Sequence, residues 1–165
     1  MGMQIVLVRI DDRLIHGQVA STWTRESGCN HIIVVNDGVA KDELRKTLLL
    51  QVAPPGVKSH VLSVDKAIQA YLNPKYESFK TFFLFSNPTD IVRMVEGGVE
   101  IKSVNIGGMA FTAGKTQITK AVSVNQEDVD AFKKLSEGHV ELEIRQVPTN
   151  GKVDMMTKLK EEGLL

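Results

Sequence analysis

The chain has 165 residues, 42% hydrophobic and 24% charged, enough to bury a substantial core without disulfides or a structural metal. Twenty basic and twenty acidic side chains leave no net charge, which excludes a global attraction to nucleic acid or an anionic membrane, so any phosphate site has to be local. No apolar run approaches the roughly 20 residues of a membrane span, no secretory leader pattern opens the chain, and the lone Cys29 suits a reducing compartment. The expectation is a cytoplasmic chain forming one domain over 1–165.

In chain order, the apolar run 3–8 reads as a buried parallel strand, residues 11–15 as a loop, and the spacing of Val19, Ala20 and Trp23 as a helix face from Gly17, stopped at Gly28. Residues 31–35 form a second apolar run. Residues 41–52 then carry Leu44, Leu48, Leu49 and Val52 on one helical stripe, ended by Pro54 and Pro55. Residues 57–62 predict a third strand, 64–72 a helix, 81–85 a fourth strand, and Asn87-Pro88-Thr89-Asp90 opens a helix that ends at Gly97 and Gly98. A fifth strand at 103–106 leads to a glycine-bearing loop at 107–115. Residues 117–124 and 140–147 alternate like edge or antiparallel strands, with a helix at 126–135 between them and a last helix at 153–159. Strands separated by helical segments predict an open, mainly parallel, doubly wound α/β sheet of about seven strands, with helices on both faces and antiparallel pairing near the C-terminal end.

Chemistry is expected at the first loop. Ligands of such sheets bind beyond the carboxyl ends of the strands, where the strand-to-helix loops open, and His16 lies on the first of these loops. A helix starting at Gly17 offers free amides and a favourable dipole to an anion, and glycine lets it approach the backbone. Arg9 and Arg13 supply planar donors that match phosphate oxygens, and Asp11 or Asp12 can hold an arginine or the ring. Histidine is a nucleophile near neutral pH. The residues therefore admit two functions: phosphoryl transfer through a covalent phosphohistidine, or a non-catalytic module that binds a phosphorylated metabolite. The loop lacks the glycine patterns G-x-G-x-x-G and G-x-x-x-x-G-K-[ST] that admit dinucleotides and triphosphates. A histidine phosphatase is disfavoured because its arginine immediately precedes the histidine, whereas Arg13 is three residues earlier.

The segment R-I-D-D-R-L-I-H-G-Q-V at 9–19, followed by Trp23, resembles the active-site signature of IIB components of mannose/fructose/sorbose-type bacterial sugar phosphotransferase systems. The resemblance continues through I-V-V-N-D at 33–37, A-P-P-G-V-K at 53–58, N-I-G-G-M at 105–109 and E-I-R-Q-V-P at 143–148. It implies a phosphoryl carrier that takes its group from a phosphohistidine IIA partner onto His16, at Nδ1, and passes it to a sugar entering through a membrane complex of IIC and IID subunits. No cofactor, metal or nucleic acid is expected. His16 and Arg13 are the expected catalytic residues, with Arg9, Asp11, Asp12, Ile15, Gly17 and Gln18 binding phosphate or shaping the loop.

Outside this loop, Gly107, Gly108, Met109 and Phe111 offer either backbone approach to an anion with apolar docking surface, or a turn whose apolar residues fold inward. Lys115 is a further phosphate contact or a solvated lysine. Asn36 and Asp37 belong to the crevice rim or simply to a turn. His31, His60 and His139 lack the short spacings of metal sites and are expected to be structural.

Overall fold

The computed structural model describes residues 3–165, apart from the side chains of Gln18 and Val19. The elements run β1 (Gln4–Asp11), α1 (Gly17–Ser27), β2 (His31–Val35), α2 (Asp37–Lys41), α3 (Glu43–Gln51), β3 (Lys58–Leu62), α4 (Val64–Leu72) and a 3-10 turn (Pro74–Tyr76). They continue with β4 (Lys80–Phe85), α5 (Pro88–Glu96), β5 (Ser103–Gly108), β6 (Thr116–Gln117), β7 (Ser123–Val124), α6 (Gln126–Glu137), β8 (Glu141–Ile144), β9 (Val153–Asp154) and α7 (Met155–Glu161). Among the described residues the main sheet has seven strands in the order β3-β2-β4-β1-β5-β8-β9. Every pairing in it is parallel except β8 with β9.

Strand periodicity sorts the core into two layers. Ile33 and Val35 of β2 pack with α4, α5, α6 and α7 on one face, whereas Ile32 and Val34 pack with α1, α2 and α3 on the other. The sheet is thus covered on both sides, as the alternation of strands and helices predicts. Chain leaving β1 enters α1 on one face, and chain leaving the adjacent β4 enters α5 on the opposite face. The two connections diverge at the carboxyl end of β1, the switch point where ligands of such sheets bind.

Several boundaries differ from the sequence reading. β1 runs on to Asp11, so Arg9 and Asp11 are strand residues that point to the α1 face. The expected helix at 41–52 is α3, which starts at Glu43 because Asp42 is extended (φ −99°, ψ 95°) and its carboxylate caps the helix by accepting from the Arg45 amide at 3.1 Å; the short α2 before it has no counterpart in the sequence reading. Of the apolar stripe, Leu49 is buried, whereas Leu44, Leu48 and Val52 face solvent. The expected strand at 117–124 is a separate antiparallel hairpin of β6 and β7, and β8, within the expected 140–147, pairs parallel with β5 and antiparallel with β9. The last helix begins at Met155, after the antiparallel edge strand β9. No helix among the described residues is long and apolar enough to cross a membrane.

Candidate functional site

Two buried side chains hold the first loop down. Leu14 and Ile15 are 1% and 2% exposed, and between Asp11 and α1 they anchor a turn in which the Leu14 amide donates to the Asp11 carbonyl at 2.8 Å. Leu14 adopts a left-handed backbone (φ 62°), a conformation costing a side-chain-bearing residue roughly 1–2 kcal/mol. Burial of the leucine side chain offsets that cost. The next turn of chain brings His16, extended at φ −152° and ψ 134°, to the start of α1 with its side chain partly exposed.

Asp11 is the hub. It is fully buried, and its Oδ2 accepts from His16 Nε2 at 3.1 Å and from Arg13 Nη2 at 3.4 Å, while Oδ1 accepts from the Arg13 amide and from Nε, each at 3.2 Å. Arg9 completes the cluster with an ion pair to Oδ2 at 3.6 Å. Burial pushes the Asp11 carboxyl up, but the hydrogen bonds from His16 and Arg13 outweigh it and hold the group below the ordinary carboxylate value. An ionised carboxylate only accepts, so the ring proton of neutral His16 sits on Nε2. Nδ1 is then the nitrogen with a free lone pair, and it has no hydrogen-bond partner among the described residues.

The two arginines differ in role. Arg13 is exposed over 59% of its side chain and reaches Asp11 through Nε and Nη2, so its remaining donors face solvent beside the histidine. Arg9 is only 2% exposed and its guanidinium is spent inside the protein: Nη1 donates to Asn105 Oδ1 and to the Arg145 carbonyl at 2.9 Å, and Nη2 to the Gln146 carbonyl at 2.9 Å. Burial lowers its pKa to about 10, against the pull of Asp11, and the ion stays charged at neutral pH. The Trp23 ring of α1 lies under it at 4.8 Å and donates Nε1–H to the same Gln146 carbonyl at 2.8 Å. Arg9 therefore shapes the site and is not a surface donor to phosphate.

The helix start suits an anion. Six later helices, α2 to α7, have a side-chain cap from Asn36, Asp42, Ser63, Asn87, Asn125 or Asp154. α1 has neither a side-chain cap at His16 nor an acidic residue in its first turn. Gly17 sits there with φ 40°, a backbone that a side chain would strain. The side chain of Gln18 lies outside the described residues.

The second loop is tied to the first, although not as an anion cradle. Asp12 accepts from the Ala110 amide at 2.5 Å and donates its own amide to the Gly108 carbonyl at 3.1 Å. Space beside Gly107 is filled by the Arg9 guanidinium, and a Cβ on Gly108 would stand 3.2 Å from Asp11 Oδ1, so both glycines make room for protein side chains rather than for an anion. Met109 is buried, bridged to Val122, whereas Phe111 is 64% exposed. Lys115 pairs with Asp128 at 3.6 Å. Asn36 and Asp37 are helix caps: Asn36 accepts from the Val39 amide, and Asp37 from the Val64 amide while pairing with Arg93. His31 Nδ1 and His60 Nε2 meet at 3.1 Å, with His31 stacked on Phe79, and His139 occupies a left-handed turn after α6. No cluster of three or more potential metal ligands occurs among the described residues.

Sequence reasoning missed Asn105 and the carbonyls of Arg145 and Gln146. The signals for them were their places in the N-I-G-G-M and E-I-R-Q-V-P segments and, for Asn105, a polar residue between the buried Val104 and Ile106.

Comparison with known proteins places this geometry in a family. Residues 5–165 match the family model described as PTS system sorbose subfamily IIB component. The chain is 60% identical over 154 residues to the mannose-specific EIIAB component of Escherichia coli (strain K12), covering 93% of the chain and 48% of that relative, so it spans about half the length of the EIIAB proteins it matches. It is 50% identical over 159 residues to the sorbose-specific EIIB component of Lacticaseibacillus casei, covering 96% of the chain and 97% of the relative. The crystal structure of the IIBSor domain of the Klebsiella pneumoniae sorbose permease superposes with a TM-score of 0.95 at 48% identity, over 96% of this chain and 98% of that one. The chain belongs to the sorbose subfamily of phosphotransferase-system IIB components.

Proposed function

We propose that the chain is a phosphoryl carrier in sugar uptake, accepting a phosphoryl group from the phosphohistidine of a IIA partner onto Nδ1 of His16 and passing it to a sugar at a membrane complex of IIC and IID subunits. The observation that carries this reading is the bond from His16 Nε2 to the ionised Asp11, which leaves Nδ1 as the nucleophile. As the bond from Nδ1 to phosphorus forms, the bond to the donor nitrogen breaks and its electron pair stays on the donor ring. The Nε2 proton does not move. His16 gains the positive ring charge that the donor loses, and Asp11 balances it at 3.1 Å.

Transfer of this kind has a loose transition state, so the protein's task is positioning and charge neutralisation. Arg13 supplies a planar cation to the phosphoryl oxygens, and the amides at Gly17 and Gln18 supply donors at the positive end of α1. Asp12 and Ile15 hold the loop, and Phe111 with the second loop forms part of the surface against which the partner excludes water. The whole chain, 1–165, acts as one cytoplasmic domain, peripherally associated with the transporter and without cofactor or metal.

The test is intact-mass measurement after incubation with a phosphorylated IIA protein. One phosphoryl group, labile in acid, stable in alkali, returnable to the donor and absent from His16→Ala, is the expected result. An acid-stable adduct, acceptance at His31, His60 or His139, or saturable reversible binding without a mass change would refute it, the last favouring a phosphometabolite-binding module.

A further inference from the structure

We propose that Asn105 and Gly107 of β5 are positioning residues for phosphoryl transfer: they seat the Arg9 guanidinium, which fixes Asp11 against Nε2 of His16 and so presents Nδ1 as the acceptor. The role rests on the reading of His16 as the phosphoryl acceptor.

Residue register sets up the seat. Arg9 is paired with Asn105 and Ile10 with Ile106, but Asp11 faces Gly108, so Gly107 is an extra residue in β5 where the two strands fall out of step. Such a bulge re-aims neighbouring side chains and is common beside active sites. Here the space that a side chain at Gly107 would take is occupied by the Arg9 guanidinium. A Cβ at position 107 would collide with both Nη2 and Cζ of Arg9, so only glycine permits the observed pose.

Asn105 holds the other edge of the guanidinium, and at a cost. Its Oδ1 accepts from Arg9 Nη1, but its Nδ2 is buried without a hydrogen-bond partner among the described residues. An orphaned buried donor is destabilising, a cost that an apolar residue between the buried Val104 and Ile106 would avoid. The asparagine serves through its oxygen. With Asn105, Arg145 and Gln146 accepting from one side and Asp11 on the other, the guanidinium does not follow the carboxylate if it turns, and the Asp11–His16 bond keeps its direction.

The tautomer of His16 reads this role directly, because a residue that merely supports the fold would not move it. Imidazole nitrogen NMR of the wild-type chain should show the Nε2–H form at His16; the Nδ1–H form would overturn the proposal without any variant being made. In Gly107→Ala and in Asn105→Leu the tautomers should mix, and transfer from phosphorylated IIA should slow by about tenfold or more, as expected when a reacting group is misplaced by a fraction of an ångström to one ångström. Gly107→Ala introduced into an Arg9→Met chain should add little further loss, since both act through one guanidinium. Should Gly107→Ala fail to fold, Asn105→Leu and the wild-type spectrum still decide. A folded variant with unchanged tautomer and rate, or fully additive losses in the double variant, overturns the positioning role while leaving the carrier reading intact. Failure of the wild-type chain to accept any phosphoryl group overturns both.

Discussion

Replacing Asp11 by asparagine keeps the shape of the hub and removes its charge. Arg9 stands 3.6 Å from Oδ2 at 2% exposure, and at an effective dielectric of about 20 the lost attraction is about 4–5 kcal/mol. Arg9 keeps three oxygen acceptors, on Asn105, Arg145 and Gln146, so the buried cation is only partly stranded and the net loss of stability should be about 2–3 kcal/mol. For a chain of this length that lowers Tm by about 4–12 °C, leaving a folded protein at room temperature. Chemistry should suffer more than stability. A carboxamide can donate to Nε2 as readily as accept from it, so the ring loses its fixed tautomer, and the rate of phosphoryl acceptance should fall by up to about 10⁴-fold, the loss that follows when a carboxylate orienting a catalytic histidine is neutralised. Urea unfolding checks the first figure and rapid-quench phosphorylation the second. A folded Asp11→Asn protein accepting its phosphoryl group at the wild-type rate would refute the hub argument.

Arg13 should show the opposite balance: Arg13→Ala should slow transfer by about a hundredfold, with Arg13→Lys clearly impaired as well, yet unfolding should move by no more than about 0.5 kcal/mol because the side chain is 59% exposed. Unchanged quench kinetics in Arg13→Ala would remove it from the mechanism. At the far end of the sheet, burial, helped by the charge of Lys58, lowers the pKa of both His31 and His60 below the ordinary 6.5, and His60 adds to the lowering at His31. The unfolded chain therefore binds more protons just below that value, so stability is full above it and is lost as pH falls through 6.5. The urea midpoint of the wild-type chain should drop between about pH 8 and about pH 5, and His60→Gln should shrink that drop; an equal drop in both would exclude the pair as its source.

How far the sequence reveals the site depends on how local each constraint is. The strand, loop and helix around His16 are legible because an apolar run, a polar loop and a helical face follow one another within a few residues. The true end of β1 is not, since arginine and aspartate normally mark a strand's exit from the core. Arg9 stays inside because oxygens from Asn105, Arg145 and Gln146, far along the chain, accept from its guanidinium, and Asp11 because Arg9, Arg13 and His16 surround its carboxylate. The same distance hides the meaning of Gly107, which reads as an opening for a ligand and is occupied by Arg9. On α3 the helix is where periodicity puts it, but periodicity does not say how much of an apolar stripe the sheet covers: only Leu49 is buried, and Leu44 and Leu48 are exposed.

The short β9 has a consequence for how copies of the chain meet. Without it β8 would be outermost, a strand of four residues presenting unpaired amides and carbonyls to any neighbour with an exposed edge. β9 covers Glu143 and Ile144 with two residues and turns at once into α7, capped by Asp154. Two residues give an incoming strand too little ladder to hold. Contacts on this flank are thereby restricted to side chains, which encode partner identity, and backbone-driven growth into fibres, which is blind to sequence, has no foothold there.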